Sequence, residues 1–126
     1  MENLVLLDTG IVFNFLGNKD KASETESLLN ESRAVLSAIT VFELFNGVTN
    51  KKHLNQREQI VSLCEVVDIT SSVARKASEI YTRLKIKGNP IDNEDILIAA
   101  CAISRNYPIF TNNKKHFEQI PSILFY

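Results

Sequence analysis

Cysteine and histidine are scarce in this chain, with two of each in 126 residues. Cys64 and Cys101 therefore read as buried, reduced side chains rather than a disulfide framework. His53 and His116 are too few and too scattered for a zinc site. Charge of one sign is lacking too. Fourteen Lys and Arg against 15 Asp and Glu leave a net charge of −1, which argues against coating nucleic acid through bulk charge. A local basic surface stays compatible with that sum, because a cluster of acids would mask it. Long apolar runs are missing: Asp8 and Asn14 interrupt the apolar stretch near the N-terminus, and no basic leader precedes it. The expectation is no signal peptide, no membrane span and a cytoplasmic location. Neither a Walker lysine loop nor a dinucleotide glycine fingerprint occurs, which argues against nucleotide-cofactor chemistry. Internal repeats, low-complexity tracts and interior linkers are also absent, so residues 1–126 read as one domain.

What is present is ordinary globular composition, 44% hydrophobic and 23% charged, in a chain long enough to bury one core. Leu4 to Leu7 is a short apolar run that Asp8, Thr9 and Gly10 end, as in a buried strand turning into a helix. A helix is expected from about Lys21 to Ser32, with Leu28 and Leu29 inward. Ala34 to Leu36 and Val66 to Ile69 read as strands, with helices over Val41 to Val48 and Leu54 to Cys64 between them. Val73, Ala74, Ala77, Ile80, Tyr81 and Leu84 recur at helical spacing until Gly88 and Pro90 stop the pattern. Asp92 and Asp95 open a nearly unbroken apolar run from Ile96 to Ile103. Pro108 to Phe110 is a further strand, and Ile123 to Phe125 a candidate for the last. Short apolar strands alternating with helices predict an α/β sandwich around a mainly parallel sheet.

Three acids sit in apolar surroundings. Asp8 ends the first strand, and the carboxyl ends of strands form the crevice where ligands bind in open α/β sheets. A less favoured reading is that it merely caps the next helix. Glu43 lies three residues after Thr40, and Asp95 three after Asp92, so each could complete a capping box and benefit from the helix dipole. The two roles are compatible. Three such acids on three elements would repel one another unless a divalent cation joined them. Oxygen ligands without a His or Cys cluster select Mg²⁺ or Mn²⁺ over Zn²⁺. An ion held so suits phosphodiester hydrolysis. His116, before Phe117, reads as an exposed loop histidine.

Leu6-Leu7-Asp8-Thr9, then Ser37-Ala38-Ile39-Thr40-Val41-Phe42-Glu43-Leu44 with Gly47, resemble the first two blocks of the PIN-domain nucleases. Gly88-Asn89-Pro90-Ile91 leading to Asp95 and Ile98-Ala99-Ala100 is similar to the third. Thr111-Asn112-Asn113, with His116-Phe117 and Ile120-Pro121, is similar to the fourth. The likeness runs from about Leu4 to Tyr126 and is nearest to VapC-type toxins. It implies a PIN-like three-layer sandwich, a mainly parallel sheet of four to five strands flanked by helices. It also implies an endoribonuclease dependent on Mg²⁺ or Mn²⁺ that cuts structured RNA such as transfer RNA through a metal-activated water. Asp8, Glu43 and Asp95 would be its catalytic acids and metal ligands, and Thr9 and Thr111 supporting polar positions. Implied partners are an RNA substrate, a VapB-type antitoxin and a second copy of the chain, without a membrane. Where many PIN domains carry a fourth acid this chain offers Asn113, with His116 where some relatives have an acid before the phenylalanine. Asn113 could bond a metal-held water through its amide but adds no charge. Of the basic patches, Lys114 and Lys115 are the expected RNA contacts, because they adjoin the fourth block.

Three rival readings accompany this one. Asp8-Thr9-Gly10 also resembles the active-site triplet of retropepsin-like aspartic proteases, which would require an all-β chain. A phospho-accepting receiver domain would use a central-strand acid, for which Asp68 is the nearest candidate. A PIN domain with little or no catalysis, binding RNA or an antitoxin, is the third.

Overall fold

The computed structural model describes residues 3–17 and 22–126. Four short strands, β1 (Val5–Leu7), β2 (Ala34–Ser37), β3 (Glu65–Val67) and β4 (Ile109–Phe110), form one sheet in the order β3-β2-β1-β4. All its pairings are parallel. The expected last strand shortens to a single bridge between Ile109 and Phe125, so the sheet has four strands. Parallel strands need crossovers, and among the described residues six helices occupy them, α1 (Thr9–Leu16), α2 (Ala22–Asn30), α3 (Ala38–Phe45), α4 (Lys51–Ser62), α5 (Ser71–Ile86) and α6 (Asn93–Arg105), while α7 (Lys114–Phe117) follows β4. Lys21, the expected start of α2, lies outside the described residues.

The period-2 alternation of the strands builds the three layers. Leu6, Val35, Val67 and Ile109 point to one face, where α5 and α6 supply Val73, Ala77, Ile80, Leu84, Ile98 and Ala99. Val5, Leu7, Ala34 and Leu36 point to the other, against Ile11 and Val12 of α1, Leu28 and Leu29 of α2, Leu44 of α3 and Ile60 of α4. Because helices cover both faces, the central strands are buried on both sides, which explains their continuous apolar runs. Ala99, Ala100, Cys101 and Ala102 are fully buried, and their small side chains let α6 lie close to its neighbours. Burial pushes the Cys101 thiol up to about 11 and that of the half-buried Cys64 up to about 12.

Local stop signals work as polar and left-handed caps. Thr70 caps α5, accepting from the Val73 N–H. Beyond it, Gly88 at φ +75° closes the other end, with Gly88 N–H bonded to Lys85 O and Asn89 N–H to Leu84 O. That pair of bonds is a Schellman motif. Asn106 and Ser32, at φ +57° and +56°, close α6 and α2 the same way. Among the described residues no helix is long and apolar enough to cross a membrane. The all-β requirement of the protease reading is not met. Asp68 follows the edge strand β3 rather than a central one, which removes the receiver reading.

Candidate active site

β1 and β4 are neighbours, and their carboxyl ends carry Asp8 and Thr111. The Asp8 N–H still donates to Phe110 O at 2.9 Å, so the side chain leaves from the last rung of the ladder. Its Oδ1 accepts the Thr9 N–H at 2.9 Å and its Oδ2 accepts the Thr111 hydroxyl at 2.7 Å. Asp8 therefore caps α1 and faces the strand-end crevice at once. Burial raises its pKa, and the nearby Asp95 charge adds to that. The Thr111 and Thr9 bonds and His116 pull the other way without cancelling it.

Glu43 and Asp95 are held differently from the capping-box expectation. Ser37 is the cap of α3, accepting the Thr40 N–H at 3.2 Å, so Thr40 lies in the first turn and Glu43 in the second. Asp92 occupies the cap position of α6 but makes no side-chain cap bond. Neither acid completes a box. Glu43 Oε1 instead accepts the Thr9 hydroxyl at 2.7 Å. The Thr9 proton is committed to that carboxylate, so the 2.8 Å contact between Thr9 and Thr40 must be donated by Thr40. The Ser37 hydroxyl in turn donates to Thr40 at 3.2 Å. A directional chain of hydroxyls, Ser37 to Thr40 to Thr9, thus ends on Glu43. Ser37 and Thr40 are wholly buried, so this polar string is part of the core and ties α3 to α1.

Asp95 Oδ2 meets His116 Nδ1 at 3.0 Å, and the same nitrogen lies 2.9 Å from Asn113 Nδ2. One ring nitrogen cannot donate to the carboxylate and accept from the amide together. The Asn113 amide orientation and the His116 tautomer are therefore coupled. His116 is exposed, as expected, yet it belongs to this site and not to a free loop. Asn113 also donates its N–H to Thr111 Oγ1 at 2.9 Å, which fixes the turn at the start of the last block. Lys114 and Lys115 are exposed on α7 beside it, with Lys114 Nζ 5.7 Å from the Phe125 ring centroid.

A cleft of about 440 Å³ runs over these groups, lined by Asp8, Thr9, Gly10, Phe13, Asn14, Glu43, Asp95, Ile98, Asn112 and Asn113. All three acids line it. Among the described residues, no three acid, histidine or cysteine side chains are drawn close enough to enclose an ion by themselves. Such an open, all-oxygen carboxylate set fits a hydrated Mg²⁺- or Mn²⁺-like cation, which takes one or two carboxylates and keeps water in its remaining positions. It does not fit a closed zinc cage. Three features lay outside the sequence expectation: the Ser37–Thr40 string, the place of His116, and the cleft-side position of Phe13, over whose ring the Arg57 guanidinium sits at 5.9 Å. Thr40 was legible in part, since it stands one helical turn before Glu43.

Comparison with known proteins puts this geometry in context. The model of the PIN domain family matches residues 5–122. The "Ribonuclease VapC1" of Methanocaldococcus jannaschii is 34% identical over 119 residues, covering 94% of this chain and 82% of that protein. The "tRNA(fMet)-specific endonuclease VapC" of Salmonella typhimurium is 34% identical over 122 residues, 94% of this chain and 92% of that one. Among solved structures, DNA-bound VapBC from Salmonella typhimurium superposes with a TM-score of 0.85 at 31% identity, covering 99% of this chain and 98% of that chain. VapBC2 from Rickettsia felis, bound to a promoter DNA fragment, gives 0.80 at 32% identity, covering 98% and 97%.

Proposed function

From the premise that this chain belongs to the PIN-domain family, and within it resembles the VapC ribonucleases, we propose that it is the toxin of a toxin–antitoxin pair. It hydrolyses RNA phosphodiester bonds with a divalent cation, Mg²⁺ or Mn²⁺, and transfer RNA is the first substrate to test. The observation that supports this most is the convergence of Asp8, Glu43 and Asp95, from three separate elements, on one cleft at the carboxyl edge of the sheet. These acids would hold the ion directly or through water. When bound, it would polarise a phosphoryl oxygen and acidify an attacking water.

The chain's own groups prepare that chemistry. Thr111 and the Thr9 N–H fix both Asp8 oxygens, and each oxygen keeps further acceptor capacity. The Thr9 hydroxyl fixes Glu43, and the buried string behind it resists rotation. Asn113 and His116 orient Asp95 and stand where a fourth acid would add charge. With one negative charge fewer, the cleft repels an RNA backbone less. Lys114 and Lys115, beside it on α7, are proposed to contact phosphates. A VapB-type antitoxin is the proposed protein partner, since the similar solved structures are VapBC complexes, and a homodimer is the proposed assembly.

The test is incubation of the purified chain with total transfer RNA in Mg²⁺, Mn²⁺ or EDTA, beside Asp95→Asn. Cleavage with either ion, none in EDTA and none by the folded variant is the expected outcome. Full cleavage by folded Asp95→Asn would overturn the assignment. RNA binding without cleavage by the parent chain would favour a non-catalytic binding module.

A further inference from the structure

We propose that Gly10, Phe13 and Asn14 of α1, backed by Arg57 of α4, seat one nucleotide of the RNA substrate beside the three acids. This deepens the nuclease reading above and rests on it. Residues 10, 13 and 14 are spaced i, i+3, i+4 and so share one face of α1, and all three line the acidic cleft. Gly10 leaves the floor open, since a Cβ built there meets nothing within 4 Å. Its neighbours Ile11 and Val12 are buried, whereas Phe13 is 40% exposed. A half-bare aromatic ring at the mouth of a charged cleft is unfavourable in water unless something stacks on it.

Arg57 supplies the second observation. Its guanidinium lies 5.9 Å over the Phe13 ring, and its Nε is buried without a hydrogen-bond partner. Nη1 donates to His53 O at a long 3.4 Å. Among the described residues no carboxylate pairs with it. A half-buried, incompletely bonded guanidinium is costly in isolation, and the anion that best matches its fork is a phosphate. The cleft itself is lined by three acids and no lysine or arginine, so a phosphodiester entering it needs positive charge from the rim. Splayed bases bind proteins by stacking on aromatic rings and guanidinium planes. An open floor, a ring wall, the Asn14 amide for the base edge and a guanidinium for the phosphate make up that set.

The experiment measures binding of a single-stranded RNA carrying 2-aminopurine to the full chain in EDTA, and cleavage of total transfer RNA in Mn²⁺. Phe13→Leu should weaken binding about ten-fold and remove the stacking quench of 2-aminopurine. Arg57→Gln should flatten the salt dependence by about one phosphate contact, and Arg57→Lys should restore the slope. Gly10→Leu, whose Cβ meets no atom within 4 Å, should fill the floor and weaken binding while thermal stability holds. Parent-like RNA affinity and quench in folded Phe13→Leu and Gly10→Leu, with the parent still cutting RNA, would overturn the subsite alone. A parent chain that neither binds nor cuts RNA would overturn the nuclease reading and the subsite with it. Loss of antitoxin binding with RNA affinity intact would assign this face to the protein partner instead and overturn the proposal.

Discussion

Thr9→Val isolates the buried string behind Glu43, because valine keeps the β-branched shape and removes only the hydroxyl. Two hydrogen bonds disappear. The bond to the Glu43 carboxylate, 2.7 Å long, ends on a charged acceptor, a class worth about 1.5–3 kcal/mol. Thr40 loses its acceptor at 2.8 Å while remaining fully buried, and an unmet buried donor costs about 1–3 kcal/mol. Glu43 is only half-buried and regains water, so the two terms do not add in full. A net loss of roughly 2–4 kcal/mol is expected, a large share of the stability of a single domain. For a chain of 126 residues that corresponds to a melting temperature lower by roughly 10 °C. Differential scanning calorimetry in EDTA, with Thr9→Ser as the control that keeps the hydroxyl, measures it. A Thr9→Val protein melting within about 2 °C of the parent would refute the directional chain, since a bond of that class cannot be lost at so small a penalty.

Two further outcomes follow from other parts of the molecule. Asp8 has a raised pKa in the fold, so the native state binds more protons than the unfolded chain as pH climbs from the ordinary value of 3.8, and stability falls as pH rises through the folded value. Asp8→Asn removes that penalty. In EDTA it should melt above the parent near pH 7, and its advantage should shrink toward pH 4; an advantage that grows on acidification would contradict the sign. Ser32 holds φ +56° at the end of α2, a conformation that disfavours side chains by about 1–2 kcal/mol, partly offset for glycine by its greater unfolded entropy. Ser32→Gly should stabilise by about 0.5–1 kcal/mol in urea unfolding, and a loss of stability would show the cap to be unstrained.

Much of the fold was legible because its signals are local. The 73–84 periodicity gave α5, and Gly88 ended it through a left-handed backbone that glycine accepts most easily. The apolar run after Asp95 gave α6. The caps were less legible. Thr40–Glu43 and Asp92–Asp95 have capping-box spacing, yet Ser37 caps α3 and Asp95 turns to His116. A spacing rule does not know that a better acceptor or donor waits on another element. The last strand failed for a related reason: Ile123 to Phe125 has strand composition, but only the Ile109–Phe125 bridge forms.

By itself, the sequence determined the α/β class and the ends of the long helices and singled out three acids that share one cleft, since apolar periodicity and misplaced charges are written residue by residue. Only the tertiary structure decided what each acid touches. Asp8 meets Thr111 across 103 residues and Glu43 meets Thr9 across 34, contacts created by the order of strands rather than by any local preference. The same folding brought His116 to Asp95 and laid Arg57 over Phe13. Hydrogen bonds and stacked rings act over a few ångströms of space, and separation along the chain carries no information about that distance until the sheet has closed.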